Sequence, residues 1–141
     1  MKMKTLISFA IVAGLLLVCR PVSAHHGAAA YDMSKAVELK NAVVTKFTWA
    51  NPHALIYFDV KDTGGEVKHW AVEAGSPSAI GVVGWSRNSV KPGDVVTIWL
   101  FQTKTGVPVG RLNKIQFADG SLLRDSQTGG ENGARTDDGL R

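Results

Sequence analysis

The sequence predicts a mostly β fold, a small five-stranded barrel with one short helix between the third and fourth strands. Three observations lead there. From residue 37 onward the apolar residues alternate with polar ones or gather in short β-branched and aromatic runs. Clusters of Gly, Pro, Asn and Asp separate those runs at turn spacing. No helical period is sustained anywhere beyond residue 24. Three strands, a short helix and two more strands is the order of an OB-like barrel, whose closure hides the edges that an open meander would expose. A small open sandwich is the alternative that strand count alone leaves open.

The first strand covers residues 37–49. There Val37, Leu39, Asn41, Val43, Thr45, Phe47 and Trp49 form one row against Glu38, Lys40, Ala42, Val44, Lys46 and Thr48. Asn51-Pro52 interrupts it, because proline has no N–H for a ladder and biases its predecessor towards extended or turn geometry. The second strand covers 53–61, with Ala54, Ile56, Phe58 and Val60 on one face and His53, Leu55, Tyr57 and Asp59 on the other. Asp62-Thr63-Gly64-Gly65 is a hairpin turn, and the third strand, 66–74, returns through Val67, Trp70 and Val72. A four-residue loop pairs Lys61 with Glu66, and these opposite charges are expected to prevail over a three-residue loop that sets Asp62 against Glu66. That register places Trp70 and Val72 on the face of His53 and Tyr57, with His69, Ala71 and Glu73 on the opposite face, so His53 and His69 do not share a metal.

Ser76 followed by Pro77 is a helix start, serine capping and proline filling the first turn, and the helix is expected to reach about residue 85 with Gly81 and Gly84 weakening it. Lys91-Pro92-Gly93-Asp94 turns the chain into a fourth strand, 95–102, whose Val, Ile, Trp and Phe content suits burial on both faces. The fifth strand covers about 107–117 and a short Leu122-Leu123 segment follows. Residues 125–141 hold Gly, Asp, Asn, Ser and Thr with almost no apolar side chain, which is expected of a disordered tail.

Residues 1–24 stand apart from this domain. Lys2 and Lys4 precede an uncharged apolar run from 5 to 19, and Arg20-Pro21-Val22-Ser23-Ala24 ends in small residues. This is the pattern of an export signal cut after Ala24, the apolar run being short for a membrane span. The protein is therefore expected in the periplasm or outside the cell, with no membrane span after cleavage. Cleavage leaves residues 25–124 as the folded domain and removes Lys2, Lys4 and Arg20, so thirteen bases face twelve acids and the net charge falls from +4 to +1. Nucleic acid then has no electrostatic basis as a partner. Cys19 leaves as well, which excludes disulfides, cysteine-ligated metals and a thiol nucleophile from the processed chain.

The same cut makes His25 the first residue and His26 the second, concentrating an α-amine and two imidazoles in one dipeptide. A terminal histidine chelates copper(II) through its amine and ring, and a distant histidine completes a three-nitrogen brace; the affinity order of divalent ions favours copper. His53, beside the Asn-Pro break, is the distant candidate. A competing chelate uses the amine, the His26 amide and the His26 ring. A polar N-terminus with no metal, and His53 hydrogen-bonded at a strand end, is the plain alternative. His69 and Glu73, about 13 Å apart along one strand, read as a solvated face. Trp49 and Trp85, near loops, together with Tyr57 and Glu73, mark a possible ligand surface, while Trp70 and Trp99 read as core.

No Gly-rich phosphate cradle, nucleophile elbow or close carboxylate pair is present in the sequence, so the protein is expected not to be an enzyme, a copper oxygenase being the remote exception. A binding protein is expected instead, taking a metal ion or gripping an envelope protein or glycan.

His25-His26, Thr48-Trp49-Ala50-Asn51-Pro52-His53, Trp70-Ala71-Val72-Glu73, Gly75-Ser76-Pro77, Gly84-Trp85 and Lys91-Pro92-Gly93-Asp94 together resemble a bacterial exported family, domain of unknown function 6152. The resemblance runs from about residue 25 to 123 and implies no established activity. It picks out His25, His26 and His53, with Glu73 and Trp85 as secondary marks and His69 outside the pattern.

Overall fold

The structure, a computed structural model, describes residues 28–125 of the 141-residue chain. Six strands follow in order: β1 (Val37–Thr48), β2 (Leu55–Lys61), β3 (Val67–Glu73), β4 (Val95–Gln102), β5 (Val109–Phe117) and β6 (Leu122–Arg124). One helix, α1 (Pro77–Gly81), lies between β3 and β4, and a 3₁₀ turn (Ala28–Ala30) precedes the barrel. The sheet order is β3-β2-β1-β4-β5-β6, and a parallel pairing of β3 with β5, Ala71 to Val109 through Glu73 to Arg111, closes the first five strands on themselves. This is the closed OB-like barrel that the element order predicts; β6 adds a short sixth strand against β5.

β1 belongs to both walls of the barrel, pairing with β4 through residues 37–43 and with β2 through 43–48. To do so it bends at two irregularities, one between Leu39 and Ala42 and one between Val44 and Lys46. Asn41 takes a left-handed φ of 54° at the first, a conformation asparagine tolerates better than most residues. Each bulge resets the two-residue period. The core face therefore reads Val37, Leu39, Ala42, Val44, Phe47 and Trp49, rather than the unbroken odd-numbered row.

β5 does the same opposite the Trp99–Leu100 step, where Trp99 pairs Lys114 and Leu100 pairs Leu112. The bulge brings Leu112 and Ile115 to one interior. Along β4, Val96, Ile98 and Leu100 are in the core; the other face is buried only at its end, where Phe101 is fully covered, while Val95 is exposed and Trp99 lies beneath the Lys114 ammonium, 4.6 Å from the ring centroid.

The β2–β3 hairpin departs from the expected register. Lys61 pairs Val67, not Glu66, and Asp62 and Glu66 close a three-residue loop through an Asp62 N–H to Glu66 O bond of 2.8 Å. The turn outweighs the cross-strand charge pair because Asp62 Oδ1 accepts from both Gly64 N (2.9 Å) and Glu66 N (3.0 Å). Gly65 takes a φ of 82°, the left-handed position such a loop requires. The Glu66 and Gly64 amides and the Lys68 ammonium together hold the Asp62 carboxyl below the usual carboxylate range.

The one-residue slip exchanges the faces of β3. Val72 joins the core and Trp70 packs against it, stacked on Phe58 at 6.3 Å, while His69, Ala71 and Glu73 share the outer face with His53, Leu55 and Tyr57.

α1 begins where the sequence predicts, Ser76 Oγ accepting from Ala79 N at 3.3 Å and Pro77 in the first turn, but it stops at Gly81. Its one buried residue, Ile80, sits in the core cluster that also holds Ala54, Ala74, Trp85 and Val90. At the β3–β5 closure Gly110 is required by space: an added Cβ would stand 2.6 Å from Leu100 Cδ1 and 3.0 Å from Phe101 O.

Candidate functional site

The corrected register brings His53 to the seam where β3 meets β5. Backbone bonds from Ala54 N to Gly75 O (3.1 Å) and Ala74 N to Ala54 O (2.9 Å) carry the ladder past the ends of β2 and β3. His53 thereby lies beside Glu73 and Ala74. Its Nδ1 stands 3.1 Å from Ala74 O and 3.2 Å from Glu73 Oε1. A carbonyl oxygen can only accept, so the contact with Ala74 needs the proton on Nδ1; in the neutral ring the lone pair is then on Nε2. The His53 side chain is 39% exposed, and Nε2 has no hydrogen bond to a described residue. The preceding Asn51–Pro52 peptide is cis.

Behind His53 runs a chain of charge. Glu73 Oε1 also accepts from Arg111 Nη1 at 3.2 Å, and Oε2 accepts from the Tyr31 hydroxyl at 3.2 Å. Arg111 turns its Nε and Nη2 towards Asp125 Oδ2, at 3.2 and 3.0 Å, and Asp125 Oδ1 accepts from Gly75 N at 2.6 Å. The Arg111 side chain is 9% exposed and that of Asp125 is fully buried. Burial, then the Glu73 carboxylate beside it, push the Tyr31 phenol above its usual range, and the Arg111 guanidinium opposes them.

Tyr31 comes from the segment leading into the barrel. That segment is tied to the last residue of β4 and the two that follow it, by Asp32 N to Gln102 O (2.8 Å), a Tyr31–Thr103 bridge and Lys104 N to Ala30 O (3.1 Å). The N-terminal segment is thus laid across the seam within reach of Glu73.

Of the residues the sequence singles out, the structure brings together His53 and Glu73. His25 and His26, the export signal and residues 126–141 lie outside the described residues. The boundary of the folded domain moves by one residue, because Asp125, assigned to the tail, is a buried member of the charge chain.

His69 shares the face of His53 yet sits roughly 20 Å away by strand rise, so the two cannot meet at one ion, for distance rather than for facing. Its Nδ1 pairs with Asp59 Oδ1 at 2.6 Å, and its side chain is 80% exposed. Trp85 is a core residue, 4% exposed, its ring 6.2 Å from Phe47 and its indole N–H donating to Arg124 O at 2.9 Å, so it offers little surface to a ligand. Trp49 is half-buried edge-on to Phe47. Tyr57 remains on the outer face with the Lys46 ammonium 5.6 Å from its ring centroid.

Tyr31, Arg111 and Asp125 were not foreseen. The sequence carries little signal for them: Arg111 stands in a strand that also holds Asn113, Lys114 and Gln116, and Asp125 follows directly on the last apolar segment. Among the described residues no three His, Asp or Glu side chains form a metal-holding group, and no helix is long and apolar enough to cross a membrane.

The family model described as "Family of unknown function (DUF6152)" matches residues 13–112. No curated protein and no solved structure matches the chain. The match takes in β1 to β4, His53, Glu73 and Arg111 and ends before β6 and Asp125. Spanning more than half of the sequence, it establishes that this chain belongs to the DUF6152 family.

Proposed function

We propose that this is an exported, non-enzymatic binding protein, cut after Ala24, which holds copper(II) through the new N-terminal His25, with His26 beside it, and through His53. The observation that carries the reading is the line Tyr31–Glu73–His53. The Tyr31 hydroxyl is 3.2 Å from the carboxylate that stands 3.2 Å from His53 Nδ1. Tyr31 lies six positions after His25, a reach of up to about 16 Å once the Ala28–Ala30 turn is counted, so an amine and ring at position 25 are within range of His53. His53 suits the role by its geometry: with Nδ1 engaged by Ala74 O and Glu73, Nε2 is the nitrogen left to face a metal. Imidazole and amine donors suit copper, and the ion would supply a Lewis-acidic divalent centre in the envelope.

The test is copper(II) titration of the processed protein beside a version with one added residue ahead of His25, after intact mass has located the cut. The expected result is binding weakened by more than about tenfold, or about 1.4 kcal/mol, in the extended version. Equal affinities would remove the brace, and a mass that places the cut elsewhere would remove its first ligand. Loss of binding on His53→Ala separates the brace from the chelate made by the amine and the His26 amide and ring, which needs no folded partner.

The metal-free alternative, a grip on an envelope protein or glycan, is favoured by one feature, Tyr57 and Lys46 on the outer face near β2–β3, which OB-like barrels commonly use for ligands. It requires that Tyr57→Ala abolish a partner's binding while His25→Ala leaves it intact.

A further inference from the structure

We infer that Glu73 is a positioning residue for His53: backed by Arg111 and Asp125, it fixes the imidazole with its proton on Nδ1 and so dedicates Nε2 to the ligand. The inference rests on the metal reading above for what Nε2 serves, but its geometry stands without a metal.

Two acceptors converge on Nδ1, Ala74 O at 3.1 Å and Glu73 Oε1 at 3.2 Å. The carbonyl fixes the direction of the N–H. The carboxylate adds charge assistance, which makes such a bond roughly twice as strong as a neutral one. A carboxylate left mobile would not hold a ring. Glu73 is held by Arg111 on the oxygen it shares with His53 and by the Tyr31 hydroxyl on the other. Arg111 is in turn held by the buried Asp125, itself anchored on the Gly75 amide. Gly75 is the residue whose carbonyl accepts from Ala54 N, next to His53, so the chain of contacts returns to the backbone that carries the ring.

The arrangement reproduces the partnering of metal-bound histidines, in which the nitrogen away from the metal donates to a carboxylate or carbonyl and thereby sets tautomer and ring angle. Part of the support lies beyond the family match, in Asp125, so the C-terminal addition to the barrel also stiffens the candidate ligand.

The primary measurement is the His53 tautomer in metal-free, 15N-labelled protein at a pH where the ring is neutral, read from the nitrogen shifts and their proton couplings. The expected result is one tautomer, protonated on Nδ1. A ring protonated on Nε2, or an even mixture, overturns the inference whether or not any metal binds. The second measurement uses Glu73→Gln, close in shape but uncharged. It is expected to populate the Nε2-protonated form and to weaken copper(II) binding by about 10- to 100-fold, the usual range for losing such a partner. An unchanged tautomer in a folded Glu73→Gln protein would assign the whole effect to the Ala74 carbonyl and overturn the role of Glu73. A tautomer that behaves as expected in a protein that takes up no copper sinks the metal reading and leaves the positioning role standing.

Discussion

The outer face of the β2–β3 ribbon carries two histidine–carboxylate pairs, and they differ in what stands behind the carboxylate. At one end, His69 Nδ1 meets Asp59 Oδ1 at 2.6 Å, the shorter of the two contacts, with the ring almost wholly in water. At the other, His53 meets Glu73 at 3.2 Å, and Glu73 is followed by Arg111, Asp125 and the Gly75 amide at increasing depth. The shorter contact is the weaker determinant of structure. Water solvates either partner of an exposed pair once it is broken, so the pair contributes little; a broken buried pair leaves a charge with nothing to replace its partner. A distance between two atoms therefore says less about what an interaction does than the surroundings of those atoms.

The largest break in that comparison is Asp125→Ala. It removes the acceptor of both the Arg111 guanidinium and the Gly75 amide at a position without solvent. Loss of one partner of a buried pair costs about 3–5 kcal/mol, to be read by chemical denaturation. A loss below about 1 kcal/mol would mean that the deep end is no more demanding than the exposed one.

Tyr31→Phe is a smaller change, deleting only the bond to Glu73, at a cost of about 1 kcal/mol near neutral pH. It also sharpens the comparison through pH. The folded state holds the Tyr31 phenol above its ordinary value of 10.0, so it keeps a proton that the unfolded chain has begun to release. The stabilisation is complete below that value and declines as pH rises past it. Wild-type protein should therefore lose stability in the alkaline range more steeply than Tyr31→Phe. Parallel alkaline limbs in thermal melts would place Tyr31 outside the charge chain.

The smallest effect is expected at the exposed end, where His69→Ala should change stability by about 0–1 kcal/mol and diminish further in high salt. A loss of several kcal/mol there would show that exposure does not separate the two pairs.

The difference between the ends also marks how far the residues could be read in one dimension. His53 and Glu73 were both legible as notable side chains, the first from its place after Asn51-Pro52, the second from the Trp-Ala-Val-Glu run. Their meeting was not, because the expected Lys61–Glu66 pairing put Glu73 on the wrong face. That expectation weighed a cross-strand charge pair, which contributes only tenths of a kcal/mol up to about 1. It left out the Asp62 side chain, which caps two amides of its own turn. The bulges of β1 were equally hidden: an unbroken alternation assigned Asn41 and Val43 inward, whereas the bent strand turns Ala42 and Val44 into the core. Trp85 illustrates the reverse error, since closeness to a loop suggested exposure and the indole lies in the core with its N–H on Arg124 O.

By itself the sequence determined the class of the domain, the number and order of the barrel strands, the start of the helix at Ser76 and the extent of β4. Each of these follows from local preferences, namely side-chain alternation, turn chemistry and a capping residue, which neighbours along the chain are enough to express. Only the tertiary structure decided which face of β3 looks outward, that β3 and β5 close the barrel, and that Tyr31, Glu73, Arg111 and Asp125 meet behind His53. Those contacts join residues 14 to 42 positions apart, and their energies depend on burial, which exists only once the sheet has closed.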